Sequence, residues 1–188
     1  MSQTILDNIQ TFVTVSGLTH SKCAKMFTAF CQTKIKIMND KEIYIFDNTL
    51  KYYKKVKREY LMKLIEETII PHLETWLTFM YTSYKADTES SKKLQEILIS
   101  NIQHGIQHLE STPYLKNVLE QVITKNTITP DELDNLNYLP NYLNFKNVKL
   151  NLKTLEYEER TENDFVTEVL SYDSVSYTHL TLPTIYSV

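Results

Sequence analysis

The chain has 188 residues, 42% of them apolar and 23% charged, which is enough for one domain with a real core, or one domain plus a small appendage, and too apolar for a disordered segment. A formal net charge of -3 and a pI near 6.0 exclude a global pull toward nucleic acid, so any such binding must come from a local patch. The two glycines, Gly17 and Gly105, stand alone. A phosphate-cradling loop needs several close together, so the Walker and dinucleotide-binding patterns are excluded from these residues.

The first stretch, "MSQTILDNIQTF", has no basic start and no apolar run, and residues 1–19 read as a lead-in. Nowhere do about eighteen apolar residues follow one another, which predicts a soluble, intracellular protein with no membrane partner. "SKCAKMFTAFCQ" places Cys23, Met26, Phe27, Phe30 and Cys31 on one helical face, with Thr19 or Ser21 as its cap. Both cysteines read as core thiols in a reducing compartment.

In "KIKIMNDKEIYIFDNTLKYYKK" the alternation of Ile35 and Ile37, Ile43 and Ile45, then Leu50 and Tyr52, with turn chemistry at "ND" and "DNT", predicts three short antiparallel strands. The period turns helical from "VKREYLMKLIEE" through Met80, and Pro71 is expected to kink or split that helix. "TESSKKLQEILISNIQHGIQHLES" predicts a further helix started by Thr88 or Ser90. "TPYLKNVLEQVITK", with Pro113 in its first turn, and the shorter "TPDELDNLNYLP" predict two more. After Pro140, Leu143, Phe145, Val148, Leu150 and Leu152 alternate as a hairpin or pair of short strands, and Thr161 with Asp164 three residues on reads as a helix cap. The fold class expected is α+β, mainly helical, with a small antiparallel sheet near the N-terminal third and a short C-terminal strand pair.

Frequent Tyr, Asn and Lys suit an AT-rich genome. The last residues, "VSYTHLTLPTIYSV", resemble the translated read-through of a sequencing adapter, so residues 174–188 are expected to be an artefactual tail. The natural protein is then expected to continue past Asp173.

The stretch "LNFKNVKLNLKTLEYEERTENDFVTEVLSYD" resembles the module that precedes the helicase domain in the poxvirus-type primase-helicases of large DNA viruses, phages and plasmids. Phe145, Asn147, Leu150, Leu152, Thr154, Arg160, Thr161, Asp164, Phe165, Leu170, Tyr172 and Asp173 follow that family's order. Val148 stands where Gly is usual and Asn151 where Asp is usual. The resemblance extends over residues 20–173, with its specific part in the last thirty or so. It implies a linker or collar module between a primase and a hexameric superfamily 3 helicase. ATP and Mg would then belong to the helicase domain and not to this chain, whose partners would be those neighbouring domains and single-stranded DNA.

Candidate sites are few. "KYYKKVKREY" interleaves Lys51, Lys54, Lys55, Lys57 and Arg58 with Tyr52, Tyr53 and Tyr60; cations neutralise phosphates and tyrosines stack on unpaired bases, so this is the candidate contact with single-stranded DNA. A solvated strand edge with core tyrosines fits the same pattern. His104 and His108, four apart on a helix, lack the further ligands zinc requires, and His20 and His72 stand alone. "DELD" reads as the acidic first turn of a helix and "EYEER" as a solvated face. No catalytic residue, metal ligand or cofactor contact is assigned, and a free-standing helical interaction module or a small single-strand-binding module remain the alternatives.

Overall fold

The computed structural model describes residues 2–38, 42–134, 136–137 and 139–174; the predicted "ND" turn and the adapter-like residues 175–188 lie outside them. Twelve elements follow in order: α1 (Ser2–Phe12), α2 (His20–Phe30), β1 (Ile35–Met38), β2 (Glu42–Asp47), β3 (Tyr52–Val56), α3 (Arg58–Thr82), α4 (Glu89–Leu109), α5 (Thr112–Asn126), α6 (Pro130–Asp134), β4 (Tyr142–Asn144), β5 (Lys149–Asn151) and β6 (Tyr157–Glu158). The class is α+β and mainly helical, with two three-stranded antiparallel sheets, β1-β2-β3 and β4-β5-β6. The chain divides into two compact units, one of Met1–Ile45 and Lys55–Pro130, the other of Phe46–Lys54 and Asp131–Val188.

The first unit is built around α3, whose buried residues Leu61, Ile65, Ile69, Leu73, Trp76 and Met80 recur at three- and four-residue spacing. Leu98, Ile102 and Leu109 of α4, Val118, Leu119 and Val122 of α5, and Met26 and Phe27 of α2 complete that core. The starts of α2 and α4 have a visible cause. Thr19 accepts a hydrogen bond from the Lys22 N–H, while Thr88 and Ser91 form a reciprocal capping box. The lead-in is not loose: α1 lies within it, and Ile9 and Val13 are fully buried.

Pro71 does not split α3, which runs unbroken from Arg58 to Thr82. The ring sits on the solvent side, while Ile69 and Leu73 on either side of it anchor both halves in the core. Gly105 gives Leu18 a close approach: a Cβ there would meet Leu18 Cδ1 at 2.2 Å and the leucine side chain would have to shift. Gly17, at φ 77°, makes the turn between α1 and α2.

The second unit carries β4, β5 and β6, paired Leu143↔Leu150 and Leu150↔Tyr157 in one row, with Tyr142↔Asn151 and Lys149↔Glu158 in the alternate rows. The strand pair expected from the alternation thus gains a third strand. The predicted helix at Thr161 does not form. Asp164 instead accepts hydrogen bonds from both the backbone N–H and the hydroxyl of Thr161, closing a turn, and no helix follows among the described residues. Among the described residues, the four non-glycine positions in the left-handed region, Lys51, Asn137, Leu155 and Phe165, lie in this unit. Asn137 tolerates that geometry because its carboxamide oxygen accepts from the Thr167 N–H at 2.7 Å, while its own N–H donates to the Phe165 carbonyl at 3.2 Å.

Ile69→Ala is expected to lower the unfolding free energy by about 2–5 kcal/mol, read from urea denaturation. A loss below about 1 kcal/mol would contradict a close-packed core around α3.

Candidate functional site

The basic segment is neutralised locally more than its sequence suggests. Its residues fall in both units, Lys51, Tyr52, Tyr53 and Lys54 in one and Lys55, Lys57 and Arg58 in the other. Lys54 Nζ lies 2.8 Å from the Asp47 carboxylate. Lys55 pairs with Glu42, and Arg58 with Glu120 on α5. The Lys55 ammonium holds the Glu42 carboxyl below its ordinary range, and the hydrogen bond from Lys54 does the same for Asp47, helped by the Thr49 and Leu50 N–H groups. Lys57 is exposed and precedes α3 without capping it through its side chain. Nothing in the sequence pointed to Glu120, which lies 62 residues from Arg58.

The tyrosines divide between roles. Tyr53 is buried, its ring edge-on to Phe46 and Phe165 at 5.2 Å each, and its hydroxyl donates to the Glu162 carbonyl at 2.8 Å. Tyr52 is half-buried, with Lys54 Nζ and the Arg160 guanidinium each about 6 Å from its ring centre. Tyr60 is exposed. A buried Tyr53 cannot stack on a base, so that part of the predicted DNA contact is core instead.

Several of the residues that carry the resemblance are bonded around one centre within the second unit. That centre is Arg160, only 2% exposed. Nε donates to the Lys51 carbonyl, Nη1 to the carbonyls of Phe145 and Val148, and Nη2 to those of Leu50 and Lys146. All five guanidinium N–H groups are thereby satisfied by backbone. Burial pulls the Arg160 pKa below its ordinary value, and the nearby Asp164 carboxylate opposes that shift. "EYEER" is therefore not a solvated face at its end: Arg160 is core, and Glu158 is half-buried within reach of the Tyr142 hydroxyl at 3.3 Å. Composition carries no sign of this, because a lone Arg in an acidic tract has the composition of a surface.

Around that centre, Lys149 is 8% exposed, with Nζ 2.9 Å from Asp164 and 3.8 Å from Glu158. Asn147 holds Ser174 through two hydrogen bonds, and the Phe145 and Tyr172 rings meet edge-on at 5.8 Å. Leu170 N–H donates to the Asn144 carbonyl, and Thr154 Oγ1 accepts from Glu156 N–H. The two departures from the family's order have physical reasons. Val148 has no left-handed φ to strain its branched side chain, and its carbonyl closes the turn with Phe145 N–H at 2.8 Å. The Asn151 amide donates to the Glu158 carboxylate at 3.2 Å, where an Asp would face like charge.

Elsewhere, His104 and His108 are exposed on α4, and no group of three or more metal-ligating side chains occurs among the described residues. His108 stacks on Tyr114, which His20 also contacts. His72 Nδ1 lies 2.8 Å from the Thr68 carbonyl oxygen. "DELD" forms α6 with Asp131 and Glu132 in its first turn, as expected. No helix among the described residues is long and apolar enough to cross a membrane. Comparison with protein-family models and with curated proteins finds no match to the sequence.

Arg160→Lys keeps the charge but loses the five-donor fork, and Arg160→Ala takes the guanidinium donors from five carbonyls, of which that of Val148 still accepts from Phe145 N–H. Both are expected to destabilise the protein, the alanine variant by about 3–5 kcal/mol in urea denaturation. A loss below about 1 kcal/mol would remove Arg160 from its structural role. Burial, and after it the charges of Glu162 and Glu132, push the Tyr53 phenol up to about 12. A phenol raised above its unfolded value stabilises the fold fully below about pH 10, and that stabilisation fades as pH climbs from there toward 12. Tyr53→Phe is expected to cost about 1 kcal/mol at neutral pH and to flatten that alkaline decline; equally steep declines in both proteins would contradict the assignment.

Proposed function

We propose that the chain is a non-catalytic module of a viral or phage replication helicase-primase, placed before the nucleotide-hydrolysing ring domain and ordering its neighbouring domains. The observation that carries this reading is the cluster around Arg160. The residues that resemble the family, from Phe145 to Tyr172, bind one another and the local backbone. Signature groups used this way serve architecture, as a linker or collar requires. ATP and Mg belong, on this reading, to the domain that follows. Hexamer formation would depend on that domain as well.

Guidance of single-stranded DNA by Lys51, Lys54, Lys55, Lys57 and Arg58 would compete with Asp47, Glu42 and Glu120, and so would weaken steeply with salt. Those same ion pairs favour a second reading, a free-standing interaction module indifferent to DNA.

Long-read sequencing of the parent DNA across the codon for Asp173 separates the two. The helicase-primase reading expects the frame to run on, within a domain's length of about 100–150 residues, into a strand followed by a Gly-rich loop ending Gly-Lys-Ser or Gly-Lys-Thr. A stop codon directly after Val188 would contradict it and leave the interaction module.

A further inference from the structure

Phe165 and Val166 are buried, and the Val166 carbonyl accepts from the Tyr53 N–H at 2.8 Å. From Thr167 to Ser174 the chain forms neither helix nor strand, and none of these residues is buried. The segment is nonetheless clasped along its length. Asn137 Oδ1 accepts from the Thr167 N–H at 2.7 Å, and Asn137 Nδ2 donates to the Thr167 hydroxyl at 2.9 Å. Leu170 N–H donates to the Asn144 carbonyl, and the Tyr172 carbonyl accepts from the Lys146 N–H. Asn147 grips both backbone groups of Ser174, accepting from its N–H at 2.9 Å and donating to its carbonyl at 3.2 Å. The partners advance from Asn137 to Asn147 as the segment advances, so it runs beside β4 and the turn after it in the same direction. It also closes an edge. Asn141 and Phe145 bond toward the β5 side, to Leu152 and Val148, and alternation leaves the groups of Asn144 and Lys146 on the other edge of β4, where the segment takes them.

The two asparagine clasps differ. The Asn137 bonds to Thr167 are partly buried, whereas both Asn147 bonds to Ser174 are exposed. Tyr172, 58% exposed, adds an edge-on contact with the Phe145 ring. Hydrogen bonds open to water contribute little net stability and each ordered residue costs conformational entropy, so a segment without buried side chains opens far more readily than the core beneath it. We infer that residues 168–174 are a latch on the free edge of β4, hinged at Thr167 and held shut by Asn147. Closed, the latch covers the backbone of Asn144 and Lys146. Open, it bares an edge of the kind that pairs with an extended chain, while Phe165, Val166 and Thr167 stay seated. The inference rests on hydrogen bonds and burial within the second unit and stands whether or not the helicase-primase reading holds.

Amide hydrogen exchange of the full chain, followed by NMR with and without low urea, tests the latch. The N–H groups of Leu170 and Lys146 are expected to exchange about a hundredfold faster than those of Tyr53 and Thr167, at rates that low urea does not change. Asn147→Ala, at an exposed position, should speed Leu170 and Lys146 by a common factor of about ten and leave Tyr53, Thr167 and the urea midpoint of unfolding unchanged. Asn147→Asp keeps an acceptor for the Ser174 N–H and should restore part of the protection. Leu170 and Lys146 exchanging as slowly as Tyr53, or a midpoint that falls in Asn147→Ala, would make the segment part of the core and overturn the proposal. So would a Lys146 rate that Asn147→Ala leaves unchanged, since the edge would then not be covered by a segment that Asn147 holds.

Discussion

A buried guanidinium that bonds only to backbone sets the terms for the second unit. Taking a charged group out of water costs several kcal/mol, and burial is tolerated only when hydrogen bonds replace hydration at every donor. Arg160 meets that condition with five carbonyls drawn from two turns, Leu50 and Lys51 on one side and Phe145, Lys146 and Val148 on the other. Those carbonyls must converge on one point. Lys51 consequently takes a left-handed φ of 57°, and the turn from Phe145 to Val148 closes tightly. The Lys149–Asp164 pair nearby follows the same logic, because Asp164 also binds Thr161 and so leaves little of its own charge unsatisfied.

Much of the helical unit was legible in the sequence. The spacing of Leu61, Ile65, Ile69 and Leu73 is a burial pattern because packing follows the helical period, and Thr88 announces α4 because capping chemistry is local. Of the two expectations for Pro71, a kink or a split, the split does not occur, for an equally physical reason. Local sterics argue for a break, but tertiary packing of Ile69 and Leu73 holds the helix across it. α1 was missed because Ile5, Ile9 and Phe12 give a short apolar stripe that becomes meaningful only against a partner.

The second unit was less legible, since its order depends on contacts distant in sequence. Nothing near Arg160 in "EYEER" indicates that carbonyls about 110 residues earlier will bind it. Thr161 and Asp164 have the spacing of a helix cap, yet the same two residues close a turn just as well. The alternation of Leu143 and Leu150 identified strands, but alternation does not say which face turns inward, and the apolar row does not take the inner side. Ionic and hydrogen-bonded groups occupy the inner side instead. In the basic segment, Lys54, Lys55 and Arg58 pair with Asp47, Glu42 and Glu120, partners that the segment itself does not reveal.

The state of the Arg160 side chain can be observed directly. In a nitrogen-edited NMR spectrum of the chain, a guanidinium fixed by five carbonyls should give separately resolved, slowly exchanging resonances for Nε–H and each Nη–H, because rotation about its C–N bonds is blocked. A single averaged Nη signal that exchanges rapidly with solvent would show a mobile, hydrated side chain and would contradict the arrangement on which the second unit depends.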